Sequence, residues 1–270
     1  MTKHFEFGKN WKDYSSDIND IRITIAEESL KEMLGANNIS GKTFLDIGCG
    51  SGLFSLAAVR LGAKNVFSFD YDDDSVKIST VLKEKYACNT NTWKIEHGDV
   101  LDLNYLGKLG KYGIVYSWGV LHHTGDMWQA LENVTVNVAD GGSICIAIYN
   151  DQGKSSKYWR MVKKIYNVLP GVTKWLILIP AFGRVWFPSF IKDFLKFGQP
   201  LATWNLYWQE RGMSPWNDFI DWIGGYPFEV AKPEKVLEFF KRKGFVLKKS
   251  KICSGYGCNE FVFTKNEYEK

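Results

Sequence analysis

The chain lacks the cysteine pattern of a disulfide framework or a structural zinc site. It has five cysteines in 270 residues, which is an odd number, and none of them form a C-x-x-C pair. Disulfide-rich domains and zinc sites both depend on paired or regularly spaced cysteines. The cysteine usage therefore indicates a reducing compartment, and we expect a cytoplasmic protein.

Long apolar runs and a strong net charge are also missing from the sequence. No run approaches the roughly 18 apolar residues that cross a bilayer, and the opening M-T-K-H-F-E-F is not typical of a signal peptide. The net charge is only +4. A charge this mild fits an anionic small molecule or a membrane surface and does not demand nucleic acid. We therefore expect no DNA partner.

A glycine-rich stretch at residues 43–54, T-F-L-D-I-G-C-G-S-G-L-F, is the most informative part of the sequence. Its apolar start predicts a short buried strand, and the apolar spacing that follows predicts a helix. Between them stand Gly48, Gly50 and Gly52, where a ligand can approach bare backbone and a helix N-terminus. The dinucleotide fingerprint G-x-G-x-x-G fails, because Leu53 occupies the place of its third glycine.

An acid precedes this loop. Asp46 lies two residues before the first glycine, where its charge would repel a pyrophosphate but suit a ligand carrying an ammonium and a sulfonium. The D-I-G-C-G-S-G spacing resembles motif I of the class I S-adenosylmethionine (SAM)-dependent methyltransferases. The resemblance implies SAM as cofactor, S-adenosylhomocysteine as product, and cofactor contacts at Asp46 and the three glycines.

Two later acids fit the same resemblance. Asp70 ends the next predicted strand, about twenty residues after the loop, where an acid can bind ribose hydroxyls. In the resembled superfamily an acid at the position of Asp99 accepts a hydrogen bond from the adenine amino group, and the next backbone N–H, here that of Val100, reaches a ring nitrogen. The alternative interpretation is that Gly98 and Asp99 simply form a turn. The remaining predicted cofactor contacts are Tyr71, Ser117 and Trp11. Trp11 belongs to an aromatic N-terminal arm that either closes over the cofactor or covers a sheet edge.

The segment I-V-Y-S-W-G-V-L-H-H-T-G-D at 114–126 ends a fourth predicted strand. Its V-L-H-H-x-x-D pattern resembles motif IV of the ubiquinone- and glycan-modifying branch of small-molecule methyltransferases. Histidine, with a pKa near 6.5, can take a proton from an acceptor hydroxyl at neutral pH. We predict His122 and His123 as catalytic, and the sequence does not choose between them. Related quinone methyltransferases use an acid–His pair here, sometimes with a divalent metal; His122 stands in place of that acid, and we predict no metal.

Alternating strands and helices predict a doubly wound, seven-stranded, mostly parallel α/β sheet, a Rossmann-like methyltransferase fold with an α-helical, aromatic-rich cap insertion. We assign residues 1–40 to an N-terminal arm and helix, and 41–150 to the SAM-binding core. Residues 151–232 form the cap insertion, and 233–270 a helix and strand pair that complete the core. The acids at 72–74 are predicted to begin a helix rather than to bind metal.

The predicted cap holds seven of the eleven tryptophans and helices near 156–169, 173–186, 188–197 and 200–211. Because it leaves the fifth strand, it is expected at the rim of the active site. Its stretch W-L-I-L-I-P-A-F-G-R-V-W-F is either an interfacial helix that contacts anionic lipid, part of the cap core, or a homodimer contact. Predicted substrate contacts are Tyr149, Asn150, Arg211, Tyr226 and Glu229; a hydrogen-bonded turn cluster is the alternative for the last three.

Taken with the resemblance, these residues predict a transferase, a SAM-dependent O-methyltransferase acting on a small polar acceptor such as a sugar, a nucleotide-linked intermediate or a lipid-attached head group. In-line displacement at the sulfonium methyl requires mainly alignment and exclusion of water. RNA methylation is less favoured, because an N-P-P-Y-type motif and a catalytic cysteine pair are absent from the sequence. A non-catalytic SAM-binding scaffold protein is the third interpretation. A location at the membrane periphery is compatible with the predicted cap.

Overall fold

The computed structural model describes residues 18–35, 38–87, 91–211 and 214–266, with side chains at 208–211 left undescribed. The described residues divide into two compact units. A helical unit comprises Lys154–Phe228, and a larger unit comprises residues 18–153 and 229–266.

The larger unit is built on a seven-stranded sheet of order β3-β2-β1-β4-β5-β7-β6. Its strands are β1 (Thr43–Ile47), β2 (Asn65–Asp70), β3 (Trp93–His97), β4 (Tyr112–Trp118), β5 (Val138–Tyr149), β6 (Phe245–Lys251) and β7 (Cys258–Lys265). Strands β1 to β5 pair in parallel, and β7 pairs antiparallel with both β5 and β6. This confirms the predicted mostly parallel, doubly wound sheet.

Helices cover both faces of this sheet. The larger unit contains α1 (Asp20–Leu34), α2 (Leu53–Arg60), α3 (Asp73–Tyr86), α4 (Leu103–Leu109) and α5 (Met127–Val134). The helical unit follows with α6 (Lys154–Val168), α7 (Trp175–Phe197), α8 (Ala202–Arg211) and α9 (Pro215–Gly224). The chain then returns to the larger unit through α10 (Pro233–Arg242).

Two hydrophobic cores lie on opposite faces of the sheet. Neighbouring strand residues alternate between them: Phe44 and Ile114 belong to one core, and Leu45 and Val115 belong to the other. Because both faces are buried, the central strands are continuous apolar runs rather than alternating patterns. This is why the sequence of β1 already predicted a buried parallel strand.

Acidic side chains begin two of the helices that follow strands. The Asp72 side chain accepts the N–H of Asp74 at the start of α3, and the Asp126 side chain accepts the N–H of Gln129 at the start of α5. An oxygen at this position satisfies a backbone donor that has no partner within the helix. The prediction that the acids at 72–74 begin a helix is therefore confirmed.

The helical unit differs from the prediction in one respect. Helix α7 runs unbroken through Pro180 and Pro188, so the predicted separation into 173–186 and 188–197 was wrong. An interior proline removes one helix hydrogen bond and crowds the preceding turn. Packing of Trp186 against the rings of Phe190 and Trp204 offsets this local cost. Helices α4 and α9 were not predicted. Among the described residues, no helix has both the length and the hydropathy of a membrane span.

Candidate active site

The glycine loop follows β1 at the carboxyl edge of the sheet. Gly48, Gly50 and Gly52 have φ angles of 75°, 54° and 79°, a region that residues with a Cβ rarely adopt. A Cβ at Gly48 would lie 2.4 Å from a side-chain carbon of Val120, and one at Gly52 would lie 2.8 Å from the Ser79 hydroxyl. The backbone conformation and the close packing therefore both require glycine.

Asp70 ends β2 and ties this strand to the loop. One carboxylate oxygen accepts the N–H of Gly50 at 2.8 Å, and the other accepts the N–H of Asp72 at 2.9 Å. A carboxylate offers about four lone-pair sites, so Asp70 has the acceptor capacity for a further donor such as a ribose hydroxyl. Burial raises the pKa of Asp70 to about 6, although the backbone hydrogen bonds oppose this shift. The side chain fits the predicted cofactor contact.

The Asp46 carboxyl lies in the protein interior and is hydrogen-bonded to another side chain. The residue is buried, and its carboxyl accepts a hydrogen bond from Ser55 on α2. The Ser55 hydroxyl also lies 2.6 Å from that of Ser68, which accepts the Trp93 indole N–H at 2.8 Å. Desolvation raises the pKa of Asp46 to about 7. These bonds connect β1, β2, β3 and α2 beneath the loop, and the cofactor contact of Asp46 stays a prediction.

The end of β3 lies beside that of β2. The N–H of Gly98 donates to the carbonyl of Asp70 at 3.0 Å, which brings Asp99 next to the ribose-binding candidate. Asp99 accepts the N–H of Leu101 at 2.8 Å and thus forms the turn that was the alternative interpretation. One of its oxygens is used in this turn, and its adenine contact stays a prediction. Tyr71, after β2, is 59% exposed.

The two histidines lie on a 3₁₀ turn, Leu121–His123, directly after β4. Val120, the residue before the turn, is the one that packs against Gly48. Ser117 on β4 donates its hydroxyl proton to the carbonyl of Ile47, the last residue of β1, at 3.1 Å. These two contacts bring the histidine turn against the glycine loop, although the two motifs are far apart in the sequence.

The histidines have different environments. His122 is fully buried, and its Nδ1 accepts the N–H of Tyr149 at 3.4 Å. The ring centroids of His122 and Tyr149 are 4.1 Å apart. His123 is half-buried and lies edge-on to both rings, at 4.5 Å from His122 and 5.5 Å from Tyr149. The structure thus separates two residues that the sequence did not distinguish.

Glu229 braces the histidine turn. Its N–H donates to the carbonyl of His122 at 3.0 Å, and its carboxylate accepts the N–H of Met127 at the start of α5, also at 3.0 Å. Asn150, at the end of β5, donates to the carbonyl of Cys253 at 2.7 Å and accepts from Asn259 at 3.2 Å. Both predicted substrate residues therefore have structural partners close to Tyr149.

The contacts of the other predicted site residues stay predictions. Val100 is buried in the core of the larger unit, so only its backbone suits a cofactor contact. Tyr226 belongs to the helical unit and is half-buried. Trp11 lies outside the described residues, as does the side chain of Arg211.

Two supporting residues were missed from the sequence. The Ser79 hydroxyl on α3 donates to the carbonyl of Gly50 at 2.9 Å, so the helix after Asp70 braces the loop. Val120 fills the space that the absent side chain of Gly48 leaves. No local pattern marks either residue, since each acts on a residue remote in the sequence. Among the described residues, no cluster of three or more His, Cys, Asp or Glu side chains is placed to hold a metal ion.

This sheet, with a glycine loop after β1 and an acid after β2, is that of a class I SAM-dependent methyltransferase. The chain matches the family model described as a methyltransferase domain over residues 20–184 and belongs to that family. It is thus a SAM-dependent methyltransferase, and SAM is its methyl donor, as the sequence predicted.

Among its relatives, the ubiquinone biosynthesis O-methyltransferase of Rickettsia prowazekii is 25% identical over 240 residues, which are 87% of this chain and 82% of that protein. The ribosomal protein L11 methyltransferase of Helicobacter hepaticus is 50% identical over 46 residues, and this chain spans only 14% of its length. Magnesium protoporphyrin IX methyltransferase from Synechocystis PCC 6803, solved with bound SAH, superimposes with a TM-score of 0.57 at 14% identity, covering 96% of this chain and 94% of that one. This structural similarity shows the fold alone.

Proposed function

We propose that the protein methylates a hydroxyl group of a small polar acceptor, with His123 as the general base. The observation that carries the proposal is the packing of Val120 on Gly48, which sets the histidine turn beside the predicted cofactor loop. The chain also aligns along most of its length with an O-methyltransferase.

The assignment to His123 follows from the hydrogen bonds of its neighbour. The Nδ1 of His122 is occupied by the N–H of Tyr149, and its imidazole is fully buried. His122 therefore suits a positioning role, holding the ring of Tyr149 and the start of the turn. His123 is half-buried and lies on the same turn. A general base must reach the proton that it removes, and a half-buried ring meets that condition better.

The residues present fit SAM. The glycine loop offers backbone without side chains, and the Asp70 carboxylate has acceptor capacity beyond its bonds to the N–H groups of Gly50 and Asp72. When bound, SAM supplies an electrophilic methyl group on its sulfonium. The residues of the protein then hold the acceptor and exclude water, and His123 accepts the hydroxyl proton.

Titration calorimetry of the purified protein with SAM tests whether the site binds the methyl donor, and absence of binding would end the proposal. Release of S-adenosylhomocysteine on a panel of hydroxylated acceptors tests whether a hydroxyl group is methylated. His123→Gln should lower kcat by about 10²- to 10⁴-fold and leave SAM affinity within about twofold. In the unmodified protein kcat/KM should rise with pH as the proposed general base loses its proton, and His123→Gln should abolish that rise.

Thr124→Ala is the matched control, because it removes a side chain of the same turn that bonds to the Leu121 carbonyl but does not titrate. Its turnover should stay within about fivefold of that of the unmodified protein. Equal losses in the two variants would assign the histidine a structural role only. SAM binding without turnover on any acceptor would favour the scaffold interpretation. A salt-sensitive shift of RNA on a gel would favour RNA as acceptor.

A further inference from the structure

The outer face of α7 is an unusual surface. Residues on the inner face, among them Leu178, Ala181 and Trp186, are buried within the helical unit. On the opposite side a lengthwise stripe, here called the α7 stripe, is 45–79% exposed and consists of Leu176, Ile179, Phe187, Ile191, Phe194 and Leu195. Their separations of three, four and eight positions, with Phe194 and Leu195 adjacent, place them along one side of the helix. A helix of 23 residues is about 35 Å long. The stripe runs along most of this helix, so it is an extended apolar surface and not a set of isolated exposed residues.

The segment 154–197, which contains α7, is rich in positive charge. Residues 154–197 contain nine Lys or Arg and one acid, a formal charge of +8. The whole chain carries +4, so the rest of it carries −4. The one acid, Asp193, is buried and accepts both the N–H and the hydroxyl proton of Thr203 at 2.7 Å. Of the nine bases only Lys163 is buried. The charged side chains of this segment that are not buried are therefore all basic.

We propose that the α7 stripe docks onto an anionic lipid surface, with the helix lying in the membrane plane. Large apolar side chains flanked by Lys and Arg are the composition of interfacial helices. Arg184 and Lys192 are exposed on α7 itself, where they can reach lipid phosphates. The buried inner face leaves only one side of the helix for lipid, which excludes insertion across the bilayer.

Charge decides between lipid and a second copy of the chain. A symmetric dimer through the α7 stripe would bring two cationic segments together, and like charges facing each other disfavour association. An anionic membrane neutralises the same charges, and each basic residue near its surface contributes about a fivefold gain in binding. Docking is independent of methyl transfer. If the proposed function holds, membrane docking favours a lipid-attached molecule as the methyl acceptor.

The test uses the full chain and sedimentation with phosphatidylcholine vesicles, with or without phosphatidylglycerol. Binding should be at least about tenfold stronger with the anionic lipid and should weaken in high salt. The double variant Ile179→Glu/Phe187→Glu should lose binding by at least about tenfold. Its matched control is Ile21→Glu/Val81→Glu, which adds the same charges at side chains 70% and 61% exposed in α1 and α3. The control should bind like the unmodified protein.

Circular dichroism confirms that each variant is folded, and light scattering gives its oligomeric state. A second variant, Lys192→Gln/Lys196→Gln, keeps the α7 stripe and should weaken binding to anionic vesicles only. Equal binding by the stripe variant and its control would overturn the proposal. So would a dimer of the unmodified protein that the stripe variant dissociates without any vesicle binding, since a second copy would then cover the stripe. No SAM or acceptor is present, so a failure here is distinct from a failure of the proposed function.

Discussion

The buried carboxyl of Asp46 should make the protein less stable as the pH rises towards neutrality. Desolvation raises its pKa from 3.8 to about 7 in the folded state, and the hydrogen bond from Ser55 only partly opposes this shift. A carboxyl with a raised folded pKa binds its proton more tightly in the folded state than in the unfolded state. Its stabilising effect is therefore complete below the unfolded pKa and is lost as the pH rises through about 7.

The size of the effect follows from the two pKa values. Between pH 5 and pH 8, ionisation of Asp46 should lower the free energy of unfolding by about 2.5 kcal/mol, at 1.36 kcal/mol per pKa unit. Asp70, whose pKa is raised to about 6, adds a smaller loss of the same sign. Because Asp70 is present in both the unmodified protein and Asp46→Asn, the difference between their pH dependences reports Asp46 together with its coulombic coupling to Asp70.

Urea unfolding of Asp46→Asn and the unmodified protein, followed by circular dichroism without SAM, measures this difference. Asp73→Asn is the control, since that carboxyl is exposed at the start of α3, and it should keep the full pH dependence. The variant Asp46→Asn should lose most of it. The reasoning would be refuted if the two pH dependences differed by less than about 0.5 kcal/mol. A stability that rises from pH 5 to pH 8 because of Asp46 would refute it as well.

Three further outcomes are expected. Gly48→Ala should lower the free energy of unfolding, measured in urea titrations, by about 2 kcal/mol, because position 48 has a φ of 75° and a Cβ there would overlap Val120. Adding Val120→Ala should restore part of this loss, and no recovery would mean that the overlap is not its cause. Trp186→Ala should cost about 3–5 kcal/mol, whereas Phe187→Ala, 61% exposed, should cost under about 0.5 kcal/mol, and equal losses would contradict the placement of α7. Asp70→Asn should weaken SAM binding by about tenfold in calorimetry, because a neutral amide is a poorer acceptor than a carboxylate; unchanged affinity would remove Asp70 from the site.

The fold and the general position of the site could be read from local patterns. The apolar run of β1, the glycines after it and the acids that begin α3 and α5 are short-range features, and each determines the backbone at its own place. Parallel strands also end at one edge of a sheet, so Asp70 and the histidine turn were expected at the same edge. None of these predictions needs a contact between distant residues.

Contacts between residues far apart in the sequence determined the environments of His122 and Asp46 and the course of α7. Nothing near His122 in the sequence indicates that the N–H of Tyr149 occupies its Nδ1, or that Glu229 donates to its carbonyl. Asp46 faces Ser55 because α2 folds back on β1. Burial in this packing raises the pKa of the Asp46 carboxyl, and the hydrogen bond from Ser55 only partly opposes the rise. Helix α7 continues through Pro188 since aromatic packing with later helices outweighs the local cost of proline. Long-range packing selects among local alternatives of similar energy, and a linear sequence does not show which of its segments will meet.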